Sequence, residues 1–107
     1  MTAFATPGAP PCSPGEAIRS KLLEGMGLTL CGLARAIAIP KARLSMVMHG
    51  TRPLSPEIAL RLAQVTGIPA AEWLLVRAEY ELHQERLRLA EQLVRLAPYP
   101  AEQSRAA

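Results

Sequence analysis

The sequence predicts an all-α protein of five helices, with a helix-turn-helix near its centre and one long helix at its end. Three observations carry that expectation. Apolar residues recur at helical spacing, with no alternating run of the kind a strand needs. Prolines fall at the starts of those stretches or between them, and most glycines close them. The segment 29–52, TLCGLARAIAIPKARLSMVMHGTR, reads as two short helices joined by a tight turn. Its second helix opens on Lys41 and Arg43 and closes at Gly50. In that layout one helix braces and the next lies in the DNA major groove.

Each element has its own signals. Pro7, Gly8, Pro10 and Pro11 mark residues 1–12 as a disordered tail. Ser13, Pro14 and Glu16 form the N-cap, first turn and capping box of helix one. Ile18, Leu22 and Met26 share one face of it, and Gly25 and Gly27 end it. Thr29 caps helix two, whose inward residues are Leu33, Ala34 and Ile37, while the small Gly32 and Ala34 would admit a neighbouring helix. Ala38-Ile39 makes the turn with Ile39 inserted in the core, and Pro40 starts helix three. Leu44 and Val47 point inward from helix three; Lys41, Ala42, Ser45 and His49 lie on its outer side. After the loop 51–54, Ser55-Pro56-Glu57 repeats the cap, proline and acid of helix one. Helix four runs on through Leu60, Leu62, Ala63 and Val65 to Gly67-Ile68-Pro69. From 70 to 97 there is no Gly or Pro and good helix formers dominate, until Pro98 and Pro100 stop the fifth helix.

Composition narrows the function classes. A chain of 107 residues fits one domain with tails and buries one modest core. No window approaches the roughly 18 to 20 apolar residues of a membrane span, and MTAFATPGAPPC lacks the parts of a signal peptide. Cys12 and Cys31 show neither a disulfide framework nor a metal spacing, so both are expected free and reduced in a cytoplasmic protein without metal or cofactor. Aspartate is absent, His49 and His83 are the only imidazoles, and no nucleophile motif or phosphate-cradling loop appears. An enzyme is therefore not expected. The net charge of +3 is unevenly placed. Residues 1–53 hold Arg19, Lys21, Arg35, Lys41, Arg43 and Arg52 against Glu16 and Glu24, whereas residues 54–107 are slightly acidic. The basic excess falls in the half with the helix-turn-helix, as phosphate neutralisation requires.

The combined motif resembles the HigA/VapI family of antitoxins, within the phage-repressor-like (XRE) helix-turn-helix proteins. The resemblance rests on Pro14-Gly15-Glu16, Gly27-Leu28-Thr29, Leu33-Ala34, Pro40-Lys41, Gly50-Thr51-Arg52, Ser55-Pro56, Ala59-Leu60-Arg61-Leu62-Ala63 and Glu72-Trp73-Leu74. It spans about residues 13–82. It implies a homodimer that binds a palindromic operator in double-stranded DNA, represses its own operon, and neutralises a small ribonuclease toxin. The chain departs from the family pattern at Leu30, where a phosphate-gripping Gln is usual, and at Ala38, the usual turn glycine. Ser45 and Met46 replace a common Asn and Glu.

On this reading the DNA-contacting residues are Thr29, Lys41, Arg43, Ser45, His49 and Arg52. Lys41 and Arg43 suit phosphate or guanine O6/N7, Ser45 a base edge or phosphate, Thr29 a phosphate at a helix N-terminus, and Arg52 the backbone. Trp73 reads as a packing anchor. Along helix five, Leu75, Leu82, Leu89 and Leu96 recur every seven residues with Leu93 beside them, more than one small bundle can cover. The domain organisation is then a helix-turn-helix unit at 13–82, a helical extension at 83–97 forming a dimer or partner seam, and a flexible tail at 98–107. Other readings stay open: a helix broken near His83-Gln84 that folds back, a degenerate helix-turn-helix that binds a protein partner but no DNA, or a stand-alone XRE-type regulator.

Overall fold

A computed structural model describes residues 10–99, so most of the two expected tails, 1–9 and 100–107, lies outside the described residues. Among the described residues the chain is all-helical. The elements are α1 (Pro14–Ile18) with a π-helical continuation (Arg19–Glu24), α2 (Leu30–Ile37), α3 (Lys41–Met48), α4 (Pro56–Thr66) and α5 (Ala70–Leu93).

Local chemistry sets the helix starts. At α1 the Glu16 N–H donates to Ser13 Oγ at 3.2 Å while Glu16 Oε1 accepts from the Ser13 backbone, closing the expected capping box. Thr29 Oγ1 accepts from the Gly32 N–H at 2.9 Å and Ser55 Oγ from the Ile58 N–H at 3.2 Å. Pro40 stands as the N-cap of α3, one residue earlier than a first helical position, because its extended ψ of 140° turns the chain out of the preceding corner. Gly32 also differs from expectation. A Cβ there would meet only Thr29 Oγ1, at 3.0 Å, so its smallness makes room for its own cap and not for a second helix.

One cluster holds the bundle together: Ile18, Leu22, Leu33, Ile37, Leu44, Val47, Leu54, Ile58, Leu62 and Trp73 lie at its centre. Ile39 inserts from the turn between α2 and α3 as expected. Met26, expected on one face with Ile18 and Leu22, points the other way, and on α4 only part of the apolar run is buried. Met26 is 54% exposed because the chain leaves the helix at Gly25. On α4, Leu60 and Val65 are 63% and 41% exposed, and the buried face is Ile58, Ala59 and Leu62. The 58–62 spacing of four is the apolar stripe; Leu60 lies opposite it, and Val65, seven residues from Ile58, is on its side but in the exposed last turn of the helix.

Gly15 fixes how closely α1 and α3 approach. A Cβ at Gly15 would fall 2.1 Å from the Met48 carbonyl oxygen, well inside contact, so no larger residue fits without moving a backbone. α5 is the one element that outgrows the bundle. It is unbroken through His83-Gln84, which removes the fold-back alternative, and its α-helix ends at Leu93, short of the expected 97. Its 24 residues contribute most of the 54 Å long axis of the molecule.

Candidate nucleic-acid interface

The corner between α2 and α3 is built from backbone. Ala38 adopts φ +60°, ψ +45°, the left-handed conformation that favours glycine, and the Ile39 N–H donates to the Ala34 carbonyl at 3.1 Å. This is the six-to-one bond of a Schellman closure. An alanine in that region carries about 1 kcal/mol of strain. From α4, Arg61 Nη1 donates to the Ile37 carbonyl at 3.0 Å, satisfying an otherwise orphaned acceptor at the end of α2.

α3 then presents its outer face. Leu44 and Val47 are buried beneath it, while Lys41, Ala42 and Met46 are exposed. Lys41 and Arg43 sit in its first turn and His49 follows its last residue, about 12 Å along the axis at the usual rise. His49 is folded back: its Nδ1 lies 2.8 Å from the Ser45 carbonyl, which can only accept, so Nδ1 carries a proton and donates. Ser45 Oγ lies 3.3 Å from the same nitrogen. His49 thus caps α3, and with Arg52 it lines a cleft of about 370 Å³ against Arg77 and Tyr80 of α5.

The loop after α3 is held chiefly by one acceptor. The Met46 carbonyl receives the Thr51 N–H at 2.9 Å, the Thr51 hydroxyl at 3.1 Å and the Arg52 N–H at 3.2 Å, with Gly50 at φ +81° making the reversal. Arg77 Nη1 donates to the Leu54 carbonyl at 3.2 Å and ties the far end of the loop to α5. The side chain of Arg52 is left exposed at the rim. Thr29 is exposed, and its Oγ1 is engaged by its own helix. Leu30, in place of a polar residue, is half-buried and packs against the core.

An ion-pair network escaped the reading of the sequence. Arg43 Nη2 meets Glu57 Oε1 at 2.9 Å, and Glu57 Oε2 accepts from Arg61 Nε at 3.1 Å. The Arg43 hydrogen bond and charge, followed by the Arg61 hydrogen bond, hold the Glu57 carboxyl below the usual carboxylate range. Ser55-Pro56-Glu57 signals a helix start, and nothing local in the sequence links it to a residue fourteen positions upstream. Among the described residues, no group of His, Cys, Asp or Glu is arranged to hold a metal ion, and no helix is long and apolar enough to cross a membrane.

The leucines of α5 divide. Leu75 is at the edge of the bundle, whereas Leu82, Leu93 and Leu96 are largely exposed and Leu89 is half-exposed. At 100° per residue Leu75, Leu82, Leu89 and Leu93 lie on nearly the opposite side of the helix from Trp73 and Val76, which the bundle buries, and Leu96 follows the helix end.

A left-handed corner between two short helices, with cations in the first turn of the second, defines a phage-repressor-like helix-turn-helix protein. No family model matches the chain. It is 33% identical over 73 residues to virulence-associated protein I of Dichelobacter nodosus, covering 68% of each chain. It is also 30% identical over 82 residues to antitoxin HigA-1 of Vibrio cholerae, covering 77% of each. The solved structure of PA4674 from Pseudomonas aeruginosa, in complex with its operator DNA, aligns with a TM-score of 0.78 at 25% identity over 85% of this chain and 97% of that one. The chain belongs to the HigA/VapI family of helix-turn-helix antitoxins and regulators.

Proposed function

We propose that this chain is a dimeric transcriptional repressor and the antitoxin of a toxin–antitoxin pair. It binds a palindromic operator, represses its own operon and neutralises a small ribonuclease toxin. The observation that carries the DNA reading is the first turn of α3, where Lys41 and Arg43 stand beside an outward face with Ser45, and Arg52 follows in a loop held by Met46. The likeness to a protein solved on its operator supports it, as does the name of the Vibrio cholerae relative for the antitoxin role. Lys41, Arg43 and Ser45 face the groove, while Thr29 and Arg52 take flanking phosphates; His49 serves chiefly as the cap of α3.

In this reading residues 13–82 are the DNA-binding unit and 83–97 the seam through Leu82, Leu89, Leu93 and Leu96, with Leu75 at its inner end. Two α3 helices then enter successive major grooves about 34 Å apart. A Lys41→Ala/Arg43→Ala variant should lose operator affinity and lower the salt slope by about two per protomer, about four for the dimer. Binding that is unchanged at moderate salt would exclude this assignment. The protein-interaction alternative draws on Leu30, committed to the core, and on the apolar Met46, 42% exposed on the face that should read bases. A stable protein partner recovered from a chain that shifts no upstream DNA would decide for it.

A further inference from the structure

Arg43 is not a freely swinging cation. Its Nη2 is fixed at 2.9 Å from Glu57, and its side chain is one-third exposed. Glu57 is itself fixed from the other side by Arg61, whose Nη1 is bonded to the Ile37 carbonyl at the end of α2. A continuous line of bonds thus runs from the corner of the helix-turn-helix through α4 to the entrance of α3. A guanidinium carries five N–H donors in a rigid plane. Nη2 carries two hydrogens, one on each two-donor edge of the plane, so a single bond to Glu57 leaves one such edge free. Phosphate accepts a cation from many directions, whereas a guanine edge needs two donors at a set angle.

We propose that Glu57 positions Arg43 for the operator and makes binding selective, while touching no DNA itself. It restricts Arg43 to one orientation, which favours a base edge that accepts two hydrogen bonds, guanine above all. Its own negative charge, close to the α3 entrance, penalises the loose phosphate contacts of non-specific binding. The inference rests on the DNA-binding reading above and adds a residue on α4 that the helix-turn-helix motif does not contain.

The test measures affinity for a duplex from the promoter region of the gene itself and for a scrambled duplex of equal length. It uses the full chain, Glu57→Gln, Arg43→Ala and the double variant, each checked for folding by its thermal melt. Glu57→Gln should lower promoter affinity about tenfold and leave scrambled affinity unchanged or raised. In the Arg43→Ala background it should cost no promoter affinity. Equal loss of promoter affinity in both backgrounds would overturn the proposal, because Glu57 would then act through the fold and not through Arg43. An unchanged promoter-to-scrambled ratio in Glu57→Gln would overturn it as well. If the unaltered chain binds neither duplex, it is the DNA reading itself that fails.

Discussion

The first turns of α5 bury Trp73 fully and Val76 nearly so, whereas from residue 82 to the end of the same helix no side chain is buried. The backbone does not register the difference, since α5 runs unbroken across it. Packing holds the first half. The second half is helical through intrinsic propensity and local pairs such as Arg88 Nη2 to Glu85 Oε2 at 2.7 Å. Exposed pairs of that kind contribute little each, so the distal half is a helix in search of a surface. The leucines that the bundle leaves uncovered lie there.

That contrast can be broken most forcefully at Trp73. Trp73→Ala should destabilise by about 3–5 kcal/mol in denaturant unfolding, through lost burial and a cavity at the centre of the bundle. Leu89→Ala, on the same helix, should shift the stability of the monomer by no more than about 0.5 kcal/mol; a large loss there would mean the distal half is packed after all. Next in size is truncation after Leu82. The mass in solution should fall from dimer to monomer while the melt of the remaining bundle moves only a few degrees. A truncated chain that stayed dimeric would remove the seam from α5.

Ala38→Gly tests the corner. Relief of left-handed strain, offset by the entropy of glycine, should raise stability by about 0.5 kcal/mol, and a loss would show that Ala38 makes contacts worth more than its strain. The smallest effect is expected in acid. The carboxyls of Glu57 and Glu85 are held below their usual range by hydrogen bonds from Arg43 and Arg88. A carboxyl with a depressed folded-state pKa stabilises fully above its unfolded pKa and loses that contribution as pH falls through the folded value. Both contributions should be flat from neutral pH to about 5 and fade below it. A Glu57→Gln/Glu85→Gln variant should show a shallower acid decline than the parent chain, followed by circular dichroism.

Much of the fold was legible because its signals are local. Ser13, Thr29 and Ser55 cap the helices they were expected to cap, and Leu33, Ala34, Ile37, Leu44 and Val47 face inward as their spacing implied. Spacing alone could not choose a buried face where apolar residues cluster more densely than one face can hold. On α4 the run from Ile58 to Val65 offers several stripes, and only contact with α2 and α5 selects Ile58, Ala59 and Leu62. Met26 failed for a related reason: periodicity continued on paper after Gly25 had already turned the chain away. In the interface, the positions of Lys41 and Arg43 at the start of α3 followed from Pro40. The tether on Arg43 did not.

By itself, then, the sequence determined where the helices begin and which family they resemble, because caps, prolines and four-residue spacings act within a turn or two. The tertiary structure decided three further things. It set Gly15 against the Met48 carbonyl, paired Arg43 with Glu57, and joined Arg61 to the Ile37 carbonyl. Each depends on groups far apart along the chain being brought within a few ångströms, and no local rule of propensity or spacing carries that information.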